Sequence, residues 1–141
     1  MYRRKDKSQL ELENFVLPFG GKLNPQNRWI RLCELIPWDE FEERYAAQFS
    51  SSGTGPPAKP FRVALGALII KERQNLTDRE TVEQIRENPY LQYFIGNNRF
   101  IDEEPFDASL MVHFRKKINA QMLGEINERL HVEEIKKNDS L

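Results

Sequence analysis

The chain has 141 residues, with 21 Lys+Arg against 22 Asp+Glu, 39% hydrophobic and 30% charged residues. That is one domain's worth, at about 100–200 residues per domain, and it leaves no room for a large multidomain enzyme. The longest apolar stretch, Val63 to Ile70, is far short of the ~20 residues that span a bilayer, and the net charge of -1 removes the argument from a strongly basic nucleic-acid-binding domain.

The N-terminus MYRRKDKSQ is basic, but no apolar run follows it, so no secretory signal is read and a cytoplasmic location is the expectation. Residues 1–24 read as an extension and 25–49 as a helical pair. Pro25 suits a first helical turn after Asn24, and Trp29, Ile30, Leu32, Cys33 and Ile36 follow it. Pro37 opens a second helix with the stripe Trp38, Phe41, Tyr45 and Phe49, while acids gather near its positive end. The single cysteine, Cys33, excludes an intramolecular disulfide and reads as a small core residue rather than a nucleophile.

Residues 50–59, rich in Ser, Gly and Pro, read as a flexible linker. Residues 60–131 read as the main helical domain. Pro60 begins a run that is apolar nearly all round, which predicts the buried central helix. Asn75-Leu76-Thr77 breaks that run. Thr77 and Glu80 then form a capping-box pattern, in which each side chain meets a free backbone N–H of the helix start. Val82 and Ile85 face inward, Pro89 ends or bends the helix, and Tyr90, Leu91, Phe94 and Ile95 make a short apolar turn stopped by Gly96.

After a polar loop, Asp107 or Ser109 caps a helix whose core face is Leu110, Met111, Phe114 and Ile118. A last helix runs from about Met122, with Leu123, Ile126 and Leu130 inward, and frays near residues 136–139. Residues 132–141 read as a tail. No convincing strand alternation or hairpin turn is present. The fold class expected is all-α: a small domain of helix-turn-helix-like helices, preceded by a short helical region.

Enzyme chemistry finds little support. One Cys and two His do not make a zinc site. Asp102-Glu103-Glu104 can bind a cation but reads more simply as a solvated acidic loop, and Glu133-Glu134 as a solvated face. Gly20-Gly21 and Gly53-Thr54-Gly55 lack the Gly-Lys-Ser/Thr of a phosphate-cradling loop. No cofactor or metal is expected.

The helix after Asp107 is the more informative constellation. Turning 100° per residue, Ser109, Val112, His113 and Lys116 fall opposite its core face, with Arg115 on the flank. A capped helix with a polar, basic outer face is what a major-groove reader requires. Ser109 can position a phosphate, Arg115, Lys116 and Lys117 can pair with phosphates, and Arg115 can read guanine. His113 is a base-edge candidate. Arg79 and Arg86 are second-rank phosphate contacts, and pairing along the helix surface explains them equally well. Arg115-Lys116-Lys117 also suits an ordinary solvated patch that complements the helix dipole.

Three ordered motifs resemble the N-terminal, InsH-type domain of bacterial insertion-sequence transposases. They are RVALGALIIKE at 62–72, LTDRETVEQIRENPYLQYFIG at 76–96 and PFDASLMVHFRKK at 105–117. Phe19-Gly20-Gly21-Lys22-Leu23, Asn27-Arg28-Trp29 and Ile36-Pro37-Trp38 are similar to the same group. The resemblance implies a helical domain that helps bind the terminal inverted repeats of the element. It also implies a following RNase H-like domain with two Asp and one Glu holding two divalent ions that cut and join DNA.

No carboxylate of this chain matches those catalytic positions. The expectation is therefore a non-enzymatic fragment: a truncated transposase, a separately encoded half or a remnant. Its partners would be double-stranded DNA at transposon ends and, by homodimerisation or docking, a second copy or a full-length transposase. The rival reading is a protein interaction module or inhibitory remnant with no direct DNA binding.

Overall fold

The structure is a computed structural model, and it describes residues 12–49 and 58–139. Most of the expected linker, residues 50–57, lies outside the described residues, as do residues 1–11 of the extension and 140–141 of the tail. Among the described residues there are seven α-helices: α1 (Arg28–Leu35), α2 (Trp38–Ala46), α3 (Phe61–Gln74), α4 (Asp78–Glu87), α5 (Pro89–Phe94), α6 (Leu110–Lys117) and α7 (Ala120–Asp139). The β-type pairing among them is one isolated parallel bridge between Val16 and Arg99. The all-α expectation is correct.

α3 is the axis of the fold, and it packs on α2, α4, α5 and α6. Phe61 and every residue from Val63 to Ile70 is buried. A helix apolar on all sides needs neighbours on all sides, which is why the other helices surround it. Gly66 lets α5 come close: a Cβ at that position would meet the Ile95 Cγ2 at 3.0 Å and the Ile95 Cα at 3.3 Å. α1 packs on α5 and α7. One core therefore runs from Trp29 and Phe41 of the first two helices, through α3 to α5, to Ile126 and Leu130 of α7.

A smaller cluster of Phe15, Leu23 and Ile30, joined by Tyr90, Tyr93 and Phe100, attaches residues 15–24 to α5. The Asn24 N–H donates to the Tyr90 hydroxyl at 2.9 Å and helps hold that segment.

Several boundaries differ from the sequence expectation. α1 starts at Arg28 and not at Pro25, because the Asn27 side chain accepts the Trp29 N–H and caps the helix there. The capping box is present as read: the Glu80 N–H donates to Thr77 Oγ1 at 3.1 Å, and the Thr77 N–H to Glu80 Oε1 at 2.9 Å. α3 ends at Asn75, whose φ of 53° is the left-handed turn that Asn tolerates better than most residues. α7 begins at Ala120 rather than near Met122, and it continues through residues 132–139 instead of fraying at 136. Two long-range pairs support that extension, Arg73–Glu134 and Lys137–Glu34.

Candidate nucleic-acid interface

α6 is short, and its approach is built by Asp107. The Asp107 carboxylate accepts the Ser109 N–H at 2.9 Å, and the Asp107 carbonyl accepts the Leu110 N–H at 2.9 Å. The Ser109 hydroxyl makes no capping bond and is exposed. Of the two capping candidates, Asp107 does the work through its side chain, while Ser109 occupies the cap position without a capping bond of its own. The Ser109 bonds hold the Asp107 carboxyl below its ordinary value, and the nearby Arg79 charge adds to that. α6 is reached through the long 95–109 loop, whereas α3 and α4 are joined by the three residues 75–77.

Met111, Phe114 and Ile118 are buried under α6, with Phe114 edge-on to Phe106 at 5.2 Å. Val112, His113, Arg115 and Lys116 are exposed. The helix is thus amphipathic in the register read from its sequence. Lys116 has no carboxylate partner among the described residues. Arg115 on the flank turns toward α4 and donates from both terminal nitrogens to Asp78, at 2.8 and 3.0 Å. Lys71 lies on the same carboxylate at 3.6 Å. The Arg115 hydrogen bonds above all, opposed by burial and helped by the Arg115 and Lys71 charges, hold the Asp78 carboxyl below its ordinary value.

The seven residues singled out by sequence fall into four places. Ser109, His113 and Lys116 share the outer face of α6. Arg115, on the flank of α6, and Arg79, in the first turn of α4, lie beside that face, Arg115 bound to Asp78 and Arg79 near the Asp107 charge. Arg86, at the far end of α4, donates to Asp102 at 3.0 Å instead. Lys117 turns the other way: its ammonium donates to the Gln48 carbonyl at 3.2 Å and lies 4.8 Å from the centre of the Phe49 ring. Asp102 of the acidic loop is the partner of Arg86. Among the described residues no three His, Cys, Asp or Glu side chains gather as a metal-holding group.

Sequence reasoning missed the residues that hold this surface in place. Gln92 is buried, donates to the carbonyls of Arg86 and Ile101 and accepts the Ile101 N–H at 2.9 Å. It thereby pins the start of the loop that leads to α6. Arg62 of α3 donates to the carbonyls of Tyr93 and Phe94 at 2.7 and 3.0 Å, and to the Cys33 sulfur at 3.0 Å. Its guanidinium lies 5.2 Å from the ring centres of both Trp38 and Tyr93. A lone cation early in an otherwise apolar helix is the one signal that could have flagged Arg62. Cys33 is buried, and burial pushes its thiol up, partly offset by the Arg62 charge.

The family model for the transposase domain (DUF772) matches residues 18–117. The chain belongs to this family. The match spans α1 to α6 and ends where α6 ends, so all seven residues lie inside it. The transposase resemblance read from the three motifs is correct at this level. A curated protein of Rhizobium meliloti, the uncharacterized protein ORF8 in the nfe locus, is 38% identical over 104 residues, covering 74% of this chain and 49% of that protein. The chain spans about half the length of that relative. No solved structure matches. No helix among the described residues of this transposase domain is long and apolar enough to cross a membrane.

Proposed function

We propose that this transposase domain binds double-stranded DNA at the terminal inverted repeats of an insertion sequence, with α6 as the contact element. The reading rests on one observation. α6 buries Met111, Phe114 and Ile118 and turns Ser109, His113 and Lys116 outward, beside Arg115 and Arg79. That arrangement suits a short helix lying in or along a groove, with polar side chains toward phosphates and base edges. Lys116 is the ready phosphate contact. Arg115 reaches DNA by exchanging Asp78 for a phosphate, an exchange of like for like because both partners accept a guanidinium fork. The α3–α4 pair, joined by its tight turn, is the supporting helix-turn-helix element.

Anisotropy titration of a labelled duplex carrying the terminal repeat tests this. Arg115→Ala with Lys116→Ala should weaken binding and lower the log–log salt slope by about one to two, since each phosphate contributes about 0.9. An unchanged affinity and slope would remove α6 from the interface. The same reading assigns this domain binding, and leaves strand cutting to an RNase H-like domain and its divalent ions. Nicking of the duplex by the purified chain with magnesium or manganese, abolished by chelator, would overturn that assignment.

A second reading, self-association or docking on a full-length transposase, is favoured by α7. Val132 and Ile135, one helical turn apart, are 45% and 46% exposed. Light scattering after size exclusion tests the first of these: a dimer that Val132→Lys with Ile135→Lys converts to monomer supports self-association, and a wild-type monomer ends it.

A further inference from the structure

The last turn of α3 sends two cations to different neighbours. Lys71 faces Asp78 at the head of α4, whereas Arg73 donates to Glu134 of α7 at 2.7 Å. Beside Arg73 a cleft of about 250 Å³ opens between α1, α3 and α7. Leu32 and Leu35 line it, and its charged groups are Arg28, Arg31, Arg73 and Lys137 against Glu134.

Two of these cations have acids of their own. Arg73 is held by Glu134, and Lys137 reaches Glu34 at 3.8 Å. The other two do not. Arg28 lies 5.4 Å from the centre of the Trp29 ring, and neither Arg28 nor Arg31 has a carboxylate partner among the described residues. They stand three residues apart on one helix, where like charges repel. Glu34, an acid of α1 itself, points to Lys137 instead. The result is excess positive charge around a cleft floored by Leu32 and Leu35.

We propose that this cleft binds a phosphate group, with Arg28 and Arg31 as its contacts and Arg73 joining by exchange from Glu134. A guanidinium fork matches two phosphate oxygens, and two forks one helical turn apart bracket one phosphate or two successive ones. The phosphate is a phosphodiester of duplex DNA or that of a free nucleotide; the chemistry is shared. The site uses none of the α6 or α4 residues, so it stands or falls separately from the α6 interface.

The test variant is Arg28→Gln with Arg31→Gln, which removes both charges and keeps much of each stem. Its thermal midpoint should match the wild type, as expected for surface changes. Two probes are titrated: a 20-base-pair duplex of arbitrary sequence by anisotropy across a salt series, and inorganic pyrophosphate by tryptophan fluorescence, which Trp29 beneath Arg28 reports. The duplex salt slope should fall by about 1.8, two phosphates at about 0.9 each. A loss confined to pyrophosphate supports the site and assigns it to free phosphates. Equal behaviour of variant and wild type toward both probes overturns the proposal. Should the glutamine variant melt early, Arg28→Lys with Arg31→Lys keeps the charge and loses the fork. A weakened probe then supports the site, and unchanged binding of both probes overturns it.

Discussion

Arg62 and Arg115 each join two helices, one within the fold and one at its surface. Arg62 reaches from α3 to the end of α5 and spends its donors on two backbone carbonyls and a buried thiol, between two aromatic rings. Arg115 reaches from α6 to α4 and meets one carboxylate, with its own side chain 43% exposed. The Phe94 carbonyl at the end of α5 has no backbone donor among the described residues and needs an outside one, whereas the Tyr93 carbonyl also accepts the Gly96 N–H at 2.9 Å. Asp78 has solvent and Lys71 within reach. Removing Arg62 strands its partners, whereas Arg115 can release Asp78 for another anion. The two contacts look alike in a list of arginine bonds, but one holds the fold and the other is free to serve an interface.

The largest effect should come from Arg62→Ala. Orphaning the Phe94 carbonyl, removing one of the two donors of the Tyr93 carbonyl and emptying the space between Trp38 and Tyr93 should cost about 3 kcal/mol in urea denaturation. A loss under about 0.5 kcal/mol, the range of ordinary surface changes, would break the comparison. Arg62→Lys should recover part of the loss, because an ammonium keeps the charge but cannot fork.

Cys33 offers an independent reading of the same junction. Its thiol is buried and held above its ordinary value, so a disulfide reagent at pH 8 should reach it only through opening of the fold. If opening limits labelling, Arg62→Ala should speed it about a hundred-fold, since 3 kcal/mol is about two factors of ten. Rapid labelling of the wild type would show that the junction is already open.

Thr77→Ala should cost about 1 kcal/mol by removing one half of the capping box. It also loosens the first turn of α4, which carries Asp78 and Arg79. We therefore expect it to disturb the surface junction and leave Cys33 labelling slow. Accelerated labelling would mean that the two regions are coupled.

The smallest effect belongs to Arg115→Ala, at most about 0.5–1 kcal/mol for a pair this exposed. Its signature is pH dependence. The Asp78 carboxyl is held below its ordinary 3.8 in the folded chain, chiefly by Arg115. A carboxyl depressed on folding stabilises fully above its unfolded value, and that contribution is lost as pH falls through the folded one. The wild type should therefore lose this increment below about pH 4, and Arg115→Ala should flatten that part of the acid limb. Asp78→Asn tests the same pair from the other side and should raise duplex affinity by freeing Arg115. An unchanged affinity would show that Arg115 does not meet the DNA.

Local features were legible because local chemistry causes them. The all-round apolar run of α3, the box at Thr77 and Glu80, the stop at Gly96 and the outer face of α6 all follow from spacing along one helix. Partners far apart in the chain were not. Arg115, Lys116 and Lys117 all read as phosphate contacts, until the fold gave Arg115 to Asp78 and sent Lys117 to Gln48 and Phe49. Gly66 and Gln92 were passed over, because their importance depends on how closely α5 approaches α3 and where the 95–109 loop runs. Pro25 misled, since a residue suited to a first helical turn lost to the side-chain cap of Asn27.

The sequence by itself determined that the chain is helical, that α3 is the buried axis, which side of α6 faces outward, and a resemblance to transposases carried by three motifs. Periodicity, capping and motif order suffice for these, since each concerns neighbours within about one helical turn or the order of segments. Only the tertiary structure decided which charges are occupied. It paired Arg86 with Asp102 and Arg73 with Glu134, gave Arg62 to the end of α5, and left Arg28, Arg31 and Lys116 without a carboxylate partner among the described residues. An ion pair depends on distance in space, and helices far apart in the chain come within reach only when the core around α3 is packed.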